Sequence, residues 1–199
     1  MSEHEEFDYA DYISEERVVP DEKLGKYNMP FILFPAVFLI LYQINFGANA
    51  FLNAIDDYFN LINIFLIFSF GFFIHELIHF LTWQLASGFP MSEFRVGIRW
   101  NSITPVIGCQ RPMKVWQFRL GLIAPFVLMG VVPVGIAFYS NNTWLLFSSV
   151  TFMAWASADL LTFLQLWKVD RNSFVEMHRS KLGCVVFNLK ASIKEAANL

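Results

Sequence analysis

The sequence predicts an all-α polytopic membrane protein: four transmembrane helices with a small β-hairpin or strand pair on the cytoplasmic side. Three observations predict it. Of 199 residues, 56% are hydrophobic and only 16% charged, with 23 phenylalanines, so a soluble fold would need a large polar shell that this chain lacks. Four segments approach or exceed the roughly 20 apolar residues needed to cross a hydrocarbon core. They are Pro30 to Phe46, Phe59 to Ala86, Phe118 to Tyr139 and Thr143 to Trp167. All 14 Lys and Arg then fall on one side of a four-span arrangement, which the positive-inside rule makes the cytoplasm.

The elements follow in chain order. Residues 1–29 form an acidic cytoplasmic arm, nine acids against Arg17, Lys23 and Lys26. A signal peptide begins positive and turns apolar early; this arm reads as solvated, partly disordered chain. Residues 30–167 are the four-span membrane domain. Pro30 to Phe46 is the shortest span. Loop 47–58 has no basic residue and faces the far side, with Asp56 and Asp57. After the second span, loop 87–117 carries Arg95, Arg99, Arg111 and Lys114. Its "EFRVGIRWNSITPVIG" alternates apolar and polar residues around Gly97, Pro105 and Gly108, which is strand or hairpin chemistry. The turn at Asn141-Asn142-Thr143 matches a glycosylation sequon but is too tight against the bilayer to serve as one. Residues 168–199 form a basic cytoplasmic tail. A short strand at Cys184 to Leu189, "CVVFNL", is placed to pair with the loop hairpin. Both cysteines, Cys109 and Cys184, fall on the cytoplasmic side and read as free thiols. Both termini are cytoplasmic, in an integral multipass protein of the plasma membrane. The basic residues lack the clustering with aromatics that nucleic acid needs; the partners are the lipid bilayer and a protein substrate within it.

Inside "FGFFIHELIHFL", residues 70–81, three ionisable groups stand in an apolar run. The charged groups within the four spans are few: His75, Glu76, His79 and Asp159, with Arg119 at a span end where it can snorkel. A carboxylate at a span centre costs roughly 2.5–3.5 kcal/mol on insertion scales, so such groups have partners and functions. One shared divalent cation accounts for all four. His75 and His79, at i and i+4, share a helix face. Glu76 is rotated by about 100° and flanks the ion, placed to take a proton from water. This is the H-E-x-x-H arrangement of zinc metalloproteases. A catalytic zinc takes three protein ligands and keeps a position for water.

Depth points to Asp159 as the third ligand. His79 lies about 10 Å and Asp159 about 12 Å from the cytoplasmic ends of their spans, at 1.5 Å per residue. Two neutral imidazoles, two carboxylates and Zn2+ sum to zero charge. His178, in "VEMHRS", is the main competitor for a ligand position, with Cys109 and Cys184 behind it. His4 reads as solvated, and Asp56 and Asp57 lie across the membrane.

The residues "HELIH", "GCQRPM", "LIAPF", "SADLL" and "HRSKLGCVVF" resemble the small multipass zincin peptidases over about residues 60 to 190. More broadly the chain resembles the site-2 protease superfamily of intramembrane zinc metalloproteases. That resemblance implies His75, Glu76 and His79 on one span and an aspartate ligand, Asp159, two spans later. It departs at Leu160, where the superfamily usually has glycine. The function expected is a membrane-embedded zinc metalloprotease in which Glu76 is catalytic and His75, His79 and Asp159 hold the metal. Its substrates are membrane-spanning proteins cut near the cytoplasmic face. The alternative is a non-catalytic metal-binding scaffold or accessory protein. A metal transporter would need polar groups at several depths, and here they sit at one level.

Overall fold

The computed structural model describes residues 7–47, 52, 60–99, 104–178 and 180–190. Among these, three helical stretches are long and apolar enough to cross a membrane: Glu22–Phe46, Leu61–Ser87 and Val115–Ser140. A fourth, Thr143–Trp155 followed by Ser157–Leu166, is bent by 46° at its break and reaches a span's length only as a pair. The four predicted spans therefore become three and a broken fourth. The break falls at Ala156, which leaves helical geometry at ψ 6°; Ser148, Ser149 and Thr151, which donate to the carbonyls of Trp144, Leu145 and Phe147, lie in the regular turns before it.

In chain order the elements are β1 Tyr12–Val18, α1 Asp21–Leu33, α2 Ala36–Phe46, α3 Leu61–Ser87, β2 Phe94–Arg99, β3 Thr104–Cys109 and β4 Met113–Lys114. Then come α4 Val115–Pro125, a π-helical turn Phe126–Val131, α5 Val132–Ser140, α6 Thr143–Trp155, α7 Ser157–Leu166, β5 Phe174–Met177 and β6 Gly183–Leu189. The first span starts before Pro30, which lies within α1, and it breaks at Phe34–Pro35. The π turn follows Pro125 directly. A proline removes one donor from the ladder, and the ladder slips: the Val132 N–H reaches Val127, five residues back.

The fold is not purely helical. An antiparallel sheet runs β1-β6-β5-β4, and β2-β3 is a separate hairpin. The hairpin lies where the alternating pattern predicts it, pairing Phe94 with Cys109 and Arg99 with Thr104. The Cys184–Leu189 strand also forms, but it does not pair with the hairpin. It lies between β1 and β5, with Val18 opposite Gly183 and Phe174 opposite Phe187. Its Cys184, Val186 and Phe187 are buried, so it needs neighbours on both sides. The acidic arm supplies one of them. Within it, Tyr12–Val18 is an ordered edge strand, a correction to the solvated-chain reading. Its Glu15, Glu16 and Arg17 suit an edge, where charge discourages pairing with other chains.

The sheet packs on the ends of α3, α4 and α7 through Trp83, Met113, Phe118, Leu166, Val175 and Val186. A second core of Tyr42, Val134, Ala137, Leu146 and Met153 joins α2, α5 and α6. Outside these cores, Phe65, Phe70 and Phe73 of α3 stand exposed, an apolar face suited to lipid.

Gly183 is where β6 meets the arm. Its φ is +133°, and a Cβ there would collide with the Arg17 carbonyl oxygen. Gly183→Ala should cost about 1–3 kcal/mol for this backbone conformation alone and should loosen β1. Trypsin should then cut after Arg17 faster than in wild type. An unchanged rate would count against the arm being latched at this residue.

Candidate metal centre

The centre is built on α3. Asn60 caps its start by accepting from the Asn63 N–H, and Gly88 ends it in the left-handed conformation. Its buried residues are Ile67, Gly71, His75, His79 and Trp83, one every fourth position. Four residues overshoot one 3.6-residue turn by about 40°, so each residue of the stripe shares a face with the next while the stripe as a whole winds slowly round the helix. Ile67 and Gly71 meet Phe147 and Phe152 of α6, His75, His79 and Trp83 meet α7 and α4, and both imidazoles are 4% exposed.

Asp159 approaches from α7. Its Oδ2 lies 3.1 Å from His75 Nε2 and 3.3 Å from His79 Nε2. The two Nε2 atoms are 3.1 Å apart. The break before Ser157 puts Asp159 in the first turn of α7, where the positive end of the helix dipole favours an anion. The C-terminal end of α7 is held by Arg119, whose guanidinium donates to the carbonyls of Leu166 and Val169. Arg119 lies near the start of α4, and its guanidinium is taken up by these backbone carbonyls.

These donors fit a zinc ion. His79 Nδ1 lies 2.9 Å from the Gly121 carbonyl oxygen. A carbonyl only accepts, so Nδ1 carries the proton and Nε2 presents a lone pair. That lone pair faces a carboxylate oxygen and a second imidazole. One proton on His75 serves only one of these contacts well, whereas a cation among the three atoms satisfies them all. Tetrahedral bonds of about 2.0–2.1 Å put ligand atoms roughly 3.3–3.4 Å apart, close to the spacings found. His75 Nδ1 is buried with no hydrogen-bond partner.

Glu76 is turned out of the trio. Its Oε2 accepts from the Ile107 N–H of β3 at 3.0 Å. Glu76, His79 and Asp159 line a cavity of about 70 Å³, with Met177, Leu182 and Gly183 of the β5–β6 hairpin also on its wall. The cavity is small, and polar groups and apolar side chains share its wall.

His75, His79 and Asp159 form the group able to hold a metal among the described residues. The competitors lie elsewhere. His178 Nδ1 accepts from the Ser180 and Lys181 N–H groups within its own turn, and Nε2 is 3.9 Å from Glu16. Cys184 is sealed in the sheet core, and burial pushes its thiol up to about 12. Burial also raises the Cys109 thiol. Both are therefore poor sources of the thiolate a metal needs. His4, Asp56 and Asp57 lie outside the described residues.

Three parts of the centre escape a reading of polar residues alone: the Gly121 carbonyl, the Ile107 N–H and Trp83. The Trp83 indole stacks on His79 with centroids 5.0 Å apart and donates to the Phe118 carbonyl at 3.1 Å. Its signal is the spacing of four from His79.

The model of a protein family described as "Putative zincin peptidase" matches residues 68–174, more than half the chain and a stretch that includes every residue of the centre. No curated protein and no solved structure matches the chain.

Proposed function

Because the chain belongs to the family described as "Putative zincin peptidase", we propose that it is a membrane-embedded zinc metalloprotease. It hydrolyses peptide bonds of membrane-spanning proteins near the cytoplasmic face. The observation that carries this is the meeting of His75, His79 and Asp159 within 4.8 Å, with a carboxylate one residue along the same helix. His75, His79 and Asp159 would hold the zinc. Bound zinc lowers the pKa of a coordinated water to about 7 and polarises the scissile carbonyl.

The chain's own groups do the rest. Glu76 accepts the proton of the attacking water and then delivers it to the leaving amine nitrogen. The Ile107 N–H fixes one Glu76 oxygen and leaves the other for that exchange. The Gly121 carbonyl holds the His79 imidazole. A purely structural zinc site has no use for a free carboxylate beside it, which favours the enzyme over the non-catalytic scaffold. The arrangement of ligands on α3 and α7 is also the one implied by the resemblance to the site-2 protease superfamily.

One feature of the structure is in keeping with a substrate that spans the membrane. A mostly apolar cavity of about 570 Å³, lined by Ile67, Phe70, Ile74, Met129 and Phe152 together with Asn63, Ser148 and Ser149, lies on the same helix and includes none of His75, Glu76, His79 or Asp159. Such walls suit an apolar segment rather than a polar peptide.

The test is metal removal. The purified chain in detergent should hold one zinc and cut a membrane-spanning reporter. A strong chelator should stop cleavage, and added zinc should restore it. Cleavage that survives complete zinc removal would refute the reading, and zinc binding without cleavage of any reporter would favour the scaffold.

A further inference from the structure

In an α-helix each carbonyl accepts from the N–H four residues on. For Gly121 that residue is Pro125, which has no N–H. Pro125 still holds helical geometry, at φ −63° and ψ −40°. The helix thus runs past a carbonyl deprived of its ring-closing donor. In an apolar interior a backbone acceptor needs a partner. The carbonyl concerned is the one 2.9 Å from His79 Nδ1.

Gly121 contributes a second condition. A Cβ at this position would run into the Trp83 indole, and that indole stacks on His79. Only the bare backbone of a glycine lets α4 come this close to the imidazole face of α3. The two residues are one turn apart in "GLIAP", residues 121–125, and their effects meet on one oxygen atom.

We propose that Pro125 and Gly121 are positioning residues for His79. Pro125 releases the Gly121 carbonyl from the helix ladder, Gly121 brings it within reach, and the bond it makes holds the His79 proton on Nδ1. Nε2 then points at Asp159 as a ligand. The proposal rests on the zinc reading of the site, although the hydrogen bond itself does not need the metal. A role as a plain helix kink would also follow from a proline here. Pro133 is the natural comparison, because the carbonyl four residues before it belongs to Met129, outside the metal centre.

The test uses the full chain in detergent, with zinc titrated against a competing chelator and the His79 ring nitrogens read by ¹⁵N resonance. In the metal-free wild type, His79 should show a single tautomer protonated on Nδ1. Pro125→Ala restores a helical N–H that competes for the carbonyl. It should give a mixture of tautomers and weaken zinc binding about tenfold or more, the scale on which loss of a ligand's hydrogen-bond partner acts. Alanine favours helix, which offsets part of the cost of the cavity left by the fully buried proline ring, and thermal unfolding of the metal-free variant checks that it folds. Pro133→Ala should keep wild-type zinc affinity. A wild-type His79 protonated on Nε2, or Pro125→Ala with unchanged tautomer and affinity, would overturn the proposal. A wild type that binds no zinc but shows the Nδ1 tautomer, lost in Pro125→Ala, would keep the positioning and remove the metal reading instead.

Discussion

Glu76→Gln should retain one zinc per chain and lose cleavage by a factor of about 10²–10⁴, the usual contribution of a positioned general base. The substitution is nearly isosteric. A glutamine side-chain oxygen can still accept from the Ile107 N–H, so the β3 contact at 3.0 Å survives. What disappears is the capacity to take a proton. The three atoms that meet at the centre belong to other residues, so metal content should not fall. The loss should appear in kcat, with KM little changed, because Glu76 acts on the transition state rather than on substrate binding. Each tenfold loss corresponds to about 1.4 kcal/mol of barrier. Measured zinc content and single-turnover cleavage on the same preparation decide the matter. A Glu76→Gln protein as active as wild type would end the catalytic assignment.

Asp159→Ala should empty the centre. It removes the one acid in contact with both imidazoles, at 3.1 and 3.3 Å. Two histidines are left, one short of the three protein ligands a catalytic zinc takes. The charge balance fails as well, since the ion would keep only Glu76 as a nearby anion. The affinity loss should exceed the roughly 10–100-fold caused by removing a ligand's hydrogen-bond partner. Thermal unfolding with added zinc gives a second readout. At 100 times Kd, a ligand stabilises the state it binds by about 2.7 kcal/mol. The wild type should show that shift and Asp159→Ala should not. Equal zinc-induced shifts in the two proteins would remove Asp159 from the ligand set.

The centre was legible in the sequence because polar groups in an apolar run are rare and their spacing is informative. His75 and His79 share a face by helical periodicity alone, and equal depth along two helices was enough to bring Asp159 forward from 84 residues away. The hairpin at Phe94–Arg99 and Thr104–Cys109 followed from alternation and turn residues. Other features were harder to see. The arm's strand is short and heavily charged, and its place depends on a partner some 170 residues later that no local pattern announces. The break at Ala156 has no proline or glycine to mark it, so the apolar run reads as one continuous span. The carbonyl of Gly121 carries no side-chain signal, and only counting four residues forward to a proline reveals it.

The order in which the parts of the centre are made has a consequence for biogenesis. His75 and Asp159 are 84 residues apart, and ribosomes add roughly 5–20 residues per second. In the proposed membrane arrangement α3 therefore waits in the lipid for roughly 4–17 s before α7 has been translated. During that wait its two imidazoles and its carboxylic acid have no Asp159 to answer them. A neutral, protonated Glu76 is the form that hydrocarbon tolerates at this stage. On the zinc reading proposed above, loading belongs to a late step of maturation, after the last helix has docked, and cells starved of the ion during synthesis should accumulate a complete but immature chain.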